Sequence, residues 1–419
     1  MKVLVVGSGG REHTIVWKLS QSPEVTDIYT APGNAGTSLM AQNIDIKVND
    51  IDALVRFASD SNIDLTVIGP EGPLAAGIVD AFQAKDLRVF GPNKAAAQIE
   101  ASKVFSKNLM HKYGIPCAKS VNFSSYEEAN EYVYNQPMPL VIKADGLAAG
   151  KGVVVAETRE QALQALSDIM GSRMYGDAGS SVVIEEKMIG KEMSAFSIAD
   201  AFTAIPMVFA CDHKAVYDGN KGPNTGGMGC YSPPYFLTPD LSAEVAVKIM
   251  NPTIQAMIKE NKPYHGVLYG GLMITDEGPK VMEFNARFGD PETQVILPRL
   301  KSDLLEIMLA VTDNKLTTIE MDWHDDACVG VVMASGGYPG SFKKGLTISG
   351  LDDVDNDIMV FHAGTKIDSS GKIVTDGGRV LTVVALGKNL AEARQKVYNN
   401  ISRIHFEGCH YRQDIALFE

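Results

Sequence analysis

The sequence of 419 residues has no apolar run close to the roughly 20 residues that a membrane-spanning helix requires. Its five cysteines, at positions 117, 211, 230, 328 and 409, form no Cys-x-x-Cys pair, which argues against a zinc site or a disulfide framework. The net charge is −13 without any lysine- or arginine-rich segment, so a general nucleic-acid surface is not expected. We therefore expect a cytoplasmic protein that binds neither nucleic acid nor membrane. The oligomeric state is expected to be a monomer or a weak homodimer.

The remaining composition is typical of a soluble globular protein, with 45% hydrophobic and 21% charged residues. A chain of this length is expected to form several domains. The N-terminal MKVLVVGSGG is too short and too rich in glycine for a signal peptide and instead predicts a first strand. Apolar strand, glycine or proline turn and helix recur in this order over the first ~100 residues. This order predicts a doubly wound α/β domain with a parallel sheet, whose ligands bind beyond the carboxyl ends of the strands.

Four units are predicted along the chain, at 1–100, 101–190, 191–325 and 326–419. In the first unit and just after it, strands are expected at 2–6, 27–30, 65–68 and 88–90, and a single helix over 94–113. The middle units predict strands at 139–144, 152–156, 181–188, 266–274 and 280–284, a helix opened by a Thr158–Gln161 capping box, and a long helix from Thr238 that Pro252 should kink. The last unit predicts a C-terminal α+β module with strands at 328–334, 359–363 and 380–386 and a helix over 390–404.

The turn GSGGREH, Gly7 to His13, contains three glycines after the first strand. Glycine lets backbone N–H groups approach a phosphate at a helix N-terminus, which favours phosphate or sugar-phosphate binding. The Rossmann fingerprint requires a third glycine where this chain has Glu12, and an acid after the second strand, where Tyr29 to Pro32 provide none. A dinucleotide site is therefore disfavoured, and a tight turn without a ligand is the remaining alternative.

Two segments of the middle units have the residue types of a nucleotide site. IKADGLAAGKG, Ile142 to Gly152, joins two strands through small residues and has a lysine near each end, so it can close over a polyphosphate. It does not match a P-loop, because Lys151 is followed by glycine rather than serine or threonine. VIEEKMIGKE, Val183 to Glu192, ends a strand in two acids and can form an adenine-binding hinge with a ribose contact. A flexible hairpin and solvated acids are the alternatives.

VMEFNARFGDPETQ, Val281 to Gln294, places Glu283 and Asn285 on one face of a strand. Two oxygen donors on one face suit a hard cation such as Mg²⁺ beside phosphates. Arg287 follows at the same spacing and can hold an oxyanion with two hydrogen bonds. The alternative is a surface ion cluster in which Arg287 pairs with Asp290 or Glu292.

A second glycine-rich loop, GPNTGGMG, extends from Gly222 to Gly229 and follows Asp212, which ends an apolar strand. Its small residues permit close backbone approach to a ligand, and Asn224 and Thr225 add side-chain donors. No Ser-His-Asp or Cys-His arrangement for covalent catalysis is evident in the sequence.

Together the motifs GSGGREH, APGNAGT, GPE, IKADGLAAGKG, GPNTGGMG and RFGDPETQ resemble the phosphoribosylamine–glycine ligase family, also called glycinamide ribonucleotide synthetases, of the ATP-grasp superfamily. The resemblance covers essentially the whole chain, and RFGDPE-x-Q is highly specific, unlike the isolated glycine loops. It implies a multi-domain α/β ATP-grasp enzyme with an N-terminal doubly wound parallel-sheet domain, a central ATP-grasp core with a mobile lid, and a small C-terminal α+β domain.

The activity that the resemblance implies is a step of de novo purine biosynthesis. It joins 5-phospho-β-D-ribosylamine and glycine through glycyl phosphate, giving glycinamide ribonucleotide, ADP and phosphate. ATP is the co-substrate, and Mg²⁺ or Mn²⁺ is the cofactor. Many ATP-grasp enzymes have an additional acidic metal ligand on the preceding strand, which here is HGVLYGGLMI and contains no acid, so the number of metal ions is left open.

The resemblance also implies a role for each candidate residue. The ATP-binding residues would be Lys103, Lys143, Gly146, Gly150, Lys151, Gly152, Glu185, Glu186, Met188 and Glu192, and the metal ligands Glu283 and Asn285. The substrate-binding residues would be Gly9, Asn34, Gly36, Glu71, Asn224, Thr225, Gly226, Gly227 and Pro291. The catalytic residues would be Arg287, Asp290 and Asp212.

Three other functions account for parts of the sequence. An NAD-dependent oxidoreductase would use the first glycine turn and leaves segments 142–152 and 281–294 unexplained. A nucleotide sensor derived from an ATP-grasp enzyme should lack a phosphate-binding lysine or a metal ligand. The sequence keeps all four such residues, Lys103, Lys143, Glu283 and Asn285. A related ATP-grasp ligase for another acid or amine shares the core, but the FGDPE turn and the GPNTGGMG loop count against it.

Overall fold

The computed structural model describes residues 1–147 and 152–418. Its N-terminal region contains strands β1 (Lys2–Gly7), β2 (Asp27–Pro32), β3 (Gln42–Asn43), β4 (Leu65–Ile68) and β5 (Val89–Phe90), and helices α1 (Gly10–Leu19), α2 (Ile51–Asp60), α3 (Glu71–Ala76) and α4 (Ile78–Gln83). The strands form one sheet in the order β3-β2-β1-β4-β5 with every pair parallel, which confirms the predicted doubly wound sheet. Val3 and Val5 of β1 pack in one core with α1, whereas Leu4 and Val6 pack in a second core with α2 and α4.

The helix predicted over 94–113 is two helices, α5 (Lys94–Ala101) and α6 (Lys103–Tyr113). Ser102 between them is extended, and its hydroxyl accepts a hydrogen bond from the Phe105 amide at 3.0 Å. A serine in this position satisfies a free amide of the first turn and therefore begins a new helix. The break makes Lys103 the first residue of α6.

A small antiparallel sheet follows. It is built from β6 (Ser120–Phe123), α7 (Tyr126–Asn135), β7 (Leu140–Ala144), β8 (Val153–Ala156), α8 (Arg159–Leu166) and β9 (Val182–Glu186), with the strand order β6-β9-β7-β8. The predicted capping box is confirmed, because Thr158 and Gln161 each bond the other's backbone at the start of α8. Val141 pairs with Glu185 and Lys143 with Val183, so the side chains of Lys143 and Glu185 lie on the same face of the sheet.

A second antiparallel sheet follows the small sheet in the chain. This part of the chain contains β10 (Lys191–Asp200), β11 (Ala204–Pro206), β12 (Cys211–Asp212), β13 (Ala215–Tyr217), β14 (Lys221–Asn224), β15 (Gly229–Ser232), α9 (Pro239–Val245), α10 (Asn251–Lys259), β16 (His265–Thr275) and β17 (Gly278–Asn285). The order in the sheet is β11-β10-β16-β17. A π-helical segment, Ala246–Met250, joins α9 to α10 just before Pro252, where the missing N–H was predicted to disturb the helix.

The rest of the chain contains α11 (Thr293–Ile296), α12 (Leu304–Thr312), β18 (Ala327–Ala334), β19 (Ile358–His362), β20 (Thr365–Ile367), β21 (Ile373–Thr375), β22 (Arg379–Gly387) and α13 (Leu390–Ile401). The elements from β18 onward form the C-terminal module. Its main sheet has the order β12-β15-β18-β22-β19, so two strands come from before residue 325. Every residue of β18 is buried, and a central strand needs a partner on both edges; β22 pairs with one edge and β15 with the other. None of the helices in the described part of the chain is long and apolar enough to span a membrane.

Two buried histidines connect the N-terminal sheet to the C-terminal module. The His362 amide, at the end of β19, donates to His13 Nδ1 of α1 at 2.8 Å, and the Asn34 side-chain amide donates to the His362 carbonyl at 2.9 Å. His13 and His362 are only 3% and 4% exposed. The junction therefore depends on both imidazoles remaining neutral.

We expect mild acid to destabilise this junction. Burial, with repulsion from His362, lowers the pKa of His13 to about 3, and burial lowers the pKa of His362 to about 4. Because unfolded histidine has a pKa of about 6.5, the unfolded state binds more protons below that pH. This contribution to stability is complete above about pH 6.5 and is lost as the pH falls toward the folded-state values. Each histidine accounts for about 2 kcal/mol between pH 7.5 and 5.

Urea unfolding at several pH values between about 7.5 and 5 measures this loss. His13→Asn, whose amide oxygen can still accept the His362 amide, should remove roughly one histidine's share of the pH dependence. The same replacement of the exposed His111 should leave the dependence unchanged. An unaltered pH dependence in His13→Asn would contradict the assignment.

Candidate active site

The cleft between the small sheet and β17 contains Glu283 and two of the predicted lysines. Lys103 Nζ lies 3.1 Å from Glu283 Oε2. The Lys103 ammonium holds the pKa of Glu283 well below its usual range against the effect of burial, and Lys214 and Lys143 act in the same direction. Burial acts to lower the pKa of Lys103, but Glu283 outweighs it and the pKa is raised. Glu283 is therefore an ionised carboxylate surrounded by ammonium groups.

Lys143 is held deeper in the same cleft. Its Nζ lies 3.0 Å from Glu185 Oε2 and donates to the Met282 carbonyl at 2.9 Å. The second oxygen of Glu185 lies 3.1 Å from Nζ of Lys107, a residue that the sequence analysis did not select. The Glu185 carboxylate thus points into the lysine cluster rather than toward an open adenine hinge. Glu186 points elsewhere and accepts the Lys119 amide at 3.0 Å.

Arg287 links the strand β17 to the N-terminal region. Its Nε lies 3.0 Å from Glu71 Oε2, its Nη2 lies 3.2 Å from Glu100 Oε1, and the same nitrogen lies 3.4 Å from Asn285 Oδ1. The alternative of a surface cluster with Asp290 or Glu292 is wrong, because the ion pairs of Arg287 are with Glu71 and Glu100. Burial, reinforced by the neighbouring charge of Glu71, raises the pKa of Glu100 despite Arg287.

Asp290 lies at the other end of this segment. Its Oδ2 is 3.2 Å from Arg379 Nη2, and its Oδ1 accepts from Gln294 Nε2 at 2.8 Å. Arg379 also donates to the carbonyls of Asp290 and Gly226. Burial acts to raise the pKa of Asp290, but Arg379 and Arg11 outweigh it and the pKa lies below its usual value. Arg379 therefore connects the FGDPE turn to the GPNTGGMG loop.

Asp290 and Arg379 border a cavity of about 630 Å³ between the N-terminal turns and the C-terminal module. Its lining comprises Ser8, Gly9, Pro32, Gly33, Asn34, Ala35, Ser38, Asn43, Asp290, Tyr338, Ala363, Gly364, Thr365, Lys366, Ile367, Asp376 and Arg379. The two predicted turns GSGGREH and APGNAG meet here because they follow the adjacent parallel strands β1 and β2. The cavity can admit a sugar phosphate, and its two basic lining residues, Lys366 and Arg379, are paired with Asp376 and Asp290.

The predicted residues of these turns have different roles. The Gly9 amide donates to Glu12 Oε2 at 2.6 Å, and a Cβ at Gly9 would lie 3.4 Å from Asp290 Oδ2. The Asn34 side chain lines the cavity but also binds the Ser8 carbonyl and the Gly36 amide, so it shapes the turn. Gly36 faces away, since a Cβ there would lie 2.3 Å from His13 Cε1. Because the Glu12 carboxylate already accepts the Gly9 amide at the N-terminus of α1, a dinucleotide phosphate is disfavoured there.

Asp212 faces the glycine-rich loop and the FGDPE turn. Its Oδ1 is buried without a hydrogen-bond partner in the described structure. Burial and the nearby charge of Glu292 raise its pKa well above the usual value. A Cβ at Gly227 would lie 2.7 Å from this oxygen and 2.4 Å from Pro291 Cδ. Gly227 therefore lies directly against both Asp212 and Pro291.

The other predicted residues of the loop and hinge are less enclosed. Thr225 Oγ1 donates to the Lys214 carbonyl at 2.8 Å and accepts the Gly227 amide at 3.0 Å, so its hydroxyl stabilises the loop, whereas Asn224 is exposed. Glu192 is exposed and its Oε2 lies 2.9 Å from Lys214 Nζ. Of the remaining predicted residues, Met188 is half-buried and Gly146 has φ 141°. The Gly152 carbonyl accepts a hydrogen bond from the Ala144 amide. Gly150 and Lys151 lie outside the described residues.

Gly227→Ala is expected to impair both folding and activity. Gly227 has φ 111°, where a side chain is strained, and its Cβ would overlap Pro291 and Asp212. We expect a loss of about 1–3 kcal/mol in stability together with a large fall in turnover. Gly219→Ala is the matched control: φ is 66° but the nearest atom to its Cβ lies 3.7 Å away, so only the smaller backbone cost applies. Urea unfolding and initial rates distinguish the two variants. Equal losses of stability and turnover in both would contradict the role of the contacts with Pro291 and Asp212.

Models of the three domains of phosphoribosylglycinamide synthetase match the chain in order: the N domain over residues 1–100, the ATP-grasp (A) domain over 101–293 and the C domain over 328–417. The chain belongs to the phosphoribosylglycinamide synthetase family. This membership confirms the resemblance derived from the motifs and the multi-domain α/β ATP-grasp fold.

Members of the phosphoribosylglycinamide synthetase family are similar to this chain over their full length. A phosphoribosylamine–glycine ligase of Halalkalibacterium halodurans is 52% identical over 417 residues, which cover 99% of this chain and 96% of the relative. The crystal structure of the phosphoribosylamine–glycine ligase of Thermotoga maritima superposes with a TM-score of 0.87 at 33% identity and covers 99% of this chain and 100% of its own. The biotin carboxylase domain of Hydrogenobacter thermophilus 2-oxoglutarate carboxylase, at 14% identity and a TM-score of 0.77, shares the fold.

Three basic residues near the candidate site were not selected from the sequence. Lys107 follows Lys103 by one helical turn on α6, and that spacing was the available signal. Lys214 lies two residues after Asp212, and its partner Glu192 is 22 positions away, so no local spacing indicates the pair. Arg379 comes from the C-terminal module, and nothing in its local sequence indicates that it reaches Asp290.

Proposed function

We propose that this protein is an ATP-dependent ligase that joins 5-phospho-β-D-ribosylamine and glycine to give glycinamide ribonucleotide, ADP and phosphate in de novo purine biosynthesis. One observation carries the proposal: the segment Val281–Gln294 borders both the lysine-lined cleft, through Glu283, and the cavity, through Asp290. A ligase that activates one substrate with ATP and transfers it to another needs two such sites joined at the reacting atoms.

The nucleotide would occupy the lysine-lined cleft. Lys103 and Lys143 would meet its phosphates, with the hinge from Glu186 to Met188 at the adenine and Glu192 at the ribose. Glu283 and Asn285 fit a divalent cation, because one is an ionised carboxylate and the other an amide oxygen on the same strand face. When bound, Mg²⁺ or Mn²⁺ would neutralise phosphate charge. Among the described residues there is no group of three or more His, Cys, Asp or Glu side chains that could hold a metal alone, so phosphate oxygens and water would complete the coordination.

Phosphoribosylamine would occupy the 630 Å³ cavity, near the Gly9 and Asn34 turns. Glycine would bind at Asp212 and the loop from Asn224 to Gly227. The unpartnered Asp212 Oδ1 supports this position, since the ammonium group of glycine would supply the missing donor and lower the raised pKa of the carboxyl group. Asp290 and Pro291 lie between the two substrates.

The reaction would proceed in two displacements. An oxygen of the glycine carboxylate attacks the γ-phosphorus of ATP, the bond to the bridging oxygen breaks, and ADP leaves as glycyl phosphate forms. The amine of phosphoribosylamine then attacks the carbonyl carbon, and phosphate leaves as the amine loses a proton. Arg287, fixed by Glu71 and Glu100, would stabilise the negative oxygens in both steps. The residues position substrates and offset charge, so no covalent nucleophile is required.

The test is product formation with ATP, Mg²⁺, glycine and freshly prepared phosphoribosylamine, omitting each component in turn. Glycinamide ribonucleotide and ADP should appear only when all four are present. Turnover with a different acid or amine would favour a related ligase, and ATP binding without turnover would favour a nucleotide sensor. The retained cluster of Lys103, Lys143 and Glu283 supports the ligase over the sensor.

We also propose a cytoplasmic location, from the scattered cysteines, and a monomeric or weakly dimeric state. Sedimentation equilibrium at micromolar and millimolar concentrations measures the state. A stable higher oligomer at low concentration would contradict it.

A further inference from the structure

The Glu185 carboxylate is buried between two lysines behind the proposed phosphate site. Lys107 lies 3.1 Å from one oxygen and Lys143 lies 3.0 Å from the other. The side chains of Lys107, Glu185 and Lys143 are 3%, 2% and 7% exposed. Charged groups this deeply buried are rare unless they are paired or functional.

Local geometry brings these groups together from three elements. Glu185 on β9 and Lys143 on β7 are diagonal neighbours on one face of the small sheet. Lys107 lies one turn after Lys103 on α6, so both lysines enter the same cleft. Lys143 is further fixed by its hydrogen bond to the Met282 carbonyl, next to Glu283.

The charges of this triad do not balance. Two ammonium groups share one carboxylate, which leaves one net positive charge in a desolvated position. The Lys107 ammonium and the Glu185 oxygen beside it form no aligned hydrogen bond within the described structure, although they lie 3.1 Å apart. Lys107 thus acts on Glu185 mainly through its charge and not through a directed hydrogen bond. Its attraction for Glu185 weakens the hold of that carboxylate on Lys143.

We propose that Glu185 and Lys107 are positioning residues for the nucleotide: Glu185 orients the Lys143 ammonium, and Lys107 offsets the carboxylate so that one positive charge remains for the phosphates. The inference rests on the proposed function in taking ATP as the nucleotide. In an adenine contact, by contrast, the Glu185 side chain would bind the base and Lys107 would have no part.

The proposal predicts reciprocal rescue. Lys107→Met leaves Glu185 to neutralise Lys143 fully. Glu185→Gln leaves two buried ammonium groups that repel each other without a counter-charge, which displaces Lys143 from the phosphates or favours loss of its proton, and removing Lys107 as well relieves this repulsion. Each single variant should therefore bind ATP about 10-fold more weakly. The double variant again has one net positive charge, on Lys143, and should bind within about 3-fold of the wild type. In turnover, the single variants should raise KM for ATP more than they lower kcat.

The test is calorimetric titration of the full chain with ATP in the presence of Mg²⁺. Lys112→Met and Glu260→Gln form the matched control cycle, because Lys112 lies on the same helix α6 but the pair lies outside the cleft, with Lys112 63% and Glu260 25% exposed. All three control variants should bind ATP like the wild type. Circular dichroism checks the fold of every variant.

The proposal is overturned if the double variant binds no better than the weaker single variant, or if either single variant keeps wild-type affinity. Should Glu185→Gln not fold, Glu185→Asp replaces it. That variant keeps the charge but withdraws the carboxylate, so its ATP binding should weaken without rescue by Lys107→Met, and wild-type affinity would again overturn the proposal. A wild-type protein that binds ATP but forms no glycinamide ribonucleotide would remove the proposed ligation and leave this result standing.

Discussion

Replacing Glu283 with glutamine should reduce kcat by at least about 100-fold while leaving the fold intact. The substitution keeps the shape of the side chain but removes its negative charge. Lys103 then loses the counter-charge that holds it 3.1 Å away, and the anionic oxygen proposed for the divalent cation is lost. Because both effects act where phosphate charge develops, the rate should fall much more than ATP affinity.

Initial rates at saturating substrates, with thermal unfolding of the same samples, measure this effect. Glu277→Gln is the matched control, since Glu277 lies on the same β16–β17 hairpin and is 79% exposed beside Lys280. The control should retain wild-type turnover. A Glu283→Gln variant with a kcat within 3-fold of the wild type would refute the role of the carboxylate.

The second large effect concerns stability and follows from Arg287. Arg287→Met should destabilise the protein by about 3–5 kcal/mol at neutral pH, because it leaves Glu100 buried without its cation. The Glu100 side chain is 7% exposed, and burial already raises its pKa. Without Arg287 the folded-state pKa should rise further above the unfolded value, so the folded state binds more protons. The loss should therefore grow as the pH rises and shrink in mild acid, where Glu100 is protonated in the folded state.

Urea unfolding at about pH 5.5 and pH 8 measures both the size and the direction of this effect. Arg287→Met/Glu100→Gln should recover part of the loss at pH 8, because no uncompensated charge remains. Arg403→Met, which removes an exposed pair with Asp355, should cost less than about 1 kcal/mol. Equal losses for Arg287→Met and Arg403→Met would show that the buried pairs do not stabilise the fold.

Much of the fold was predictable because its signals are local. The strands of the first sheet follow from short apolar runs that end in glycine or proline turns, and the observed strands include nearly all of the expected residues. The Thr158–Gln161 capping box and the shared face of Glu283 and Asn285 depend only on the spacing of neighbouring residues. The break at Ser102 was missed because a serine within a helical pattern is a weak signal without its cap geometry.

The sequence by itself determined the family, the turn motifs, and which residues share a strand face or helix turn, since those properties depend on neighbours along the chain. Only the tertiary structure decided the partners of the charged groups. Arg287 donates to Glu71, which is 216 positions away in the sequence, and Arg379 donates to the Asp290 carbonyl, 89 positions away. Charges pair at distances of about 3 Å, which packing of separate elements sets and no local pattern records. For the same reason Glu185 could be recognised as a strand-end acid, but its burial between two lysines required the packing of β7, β9 and α6.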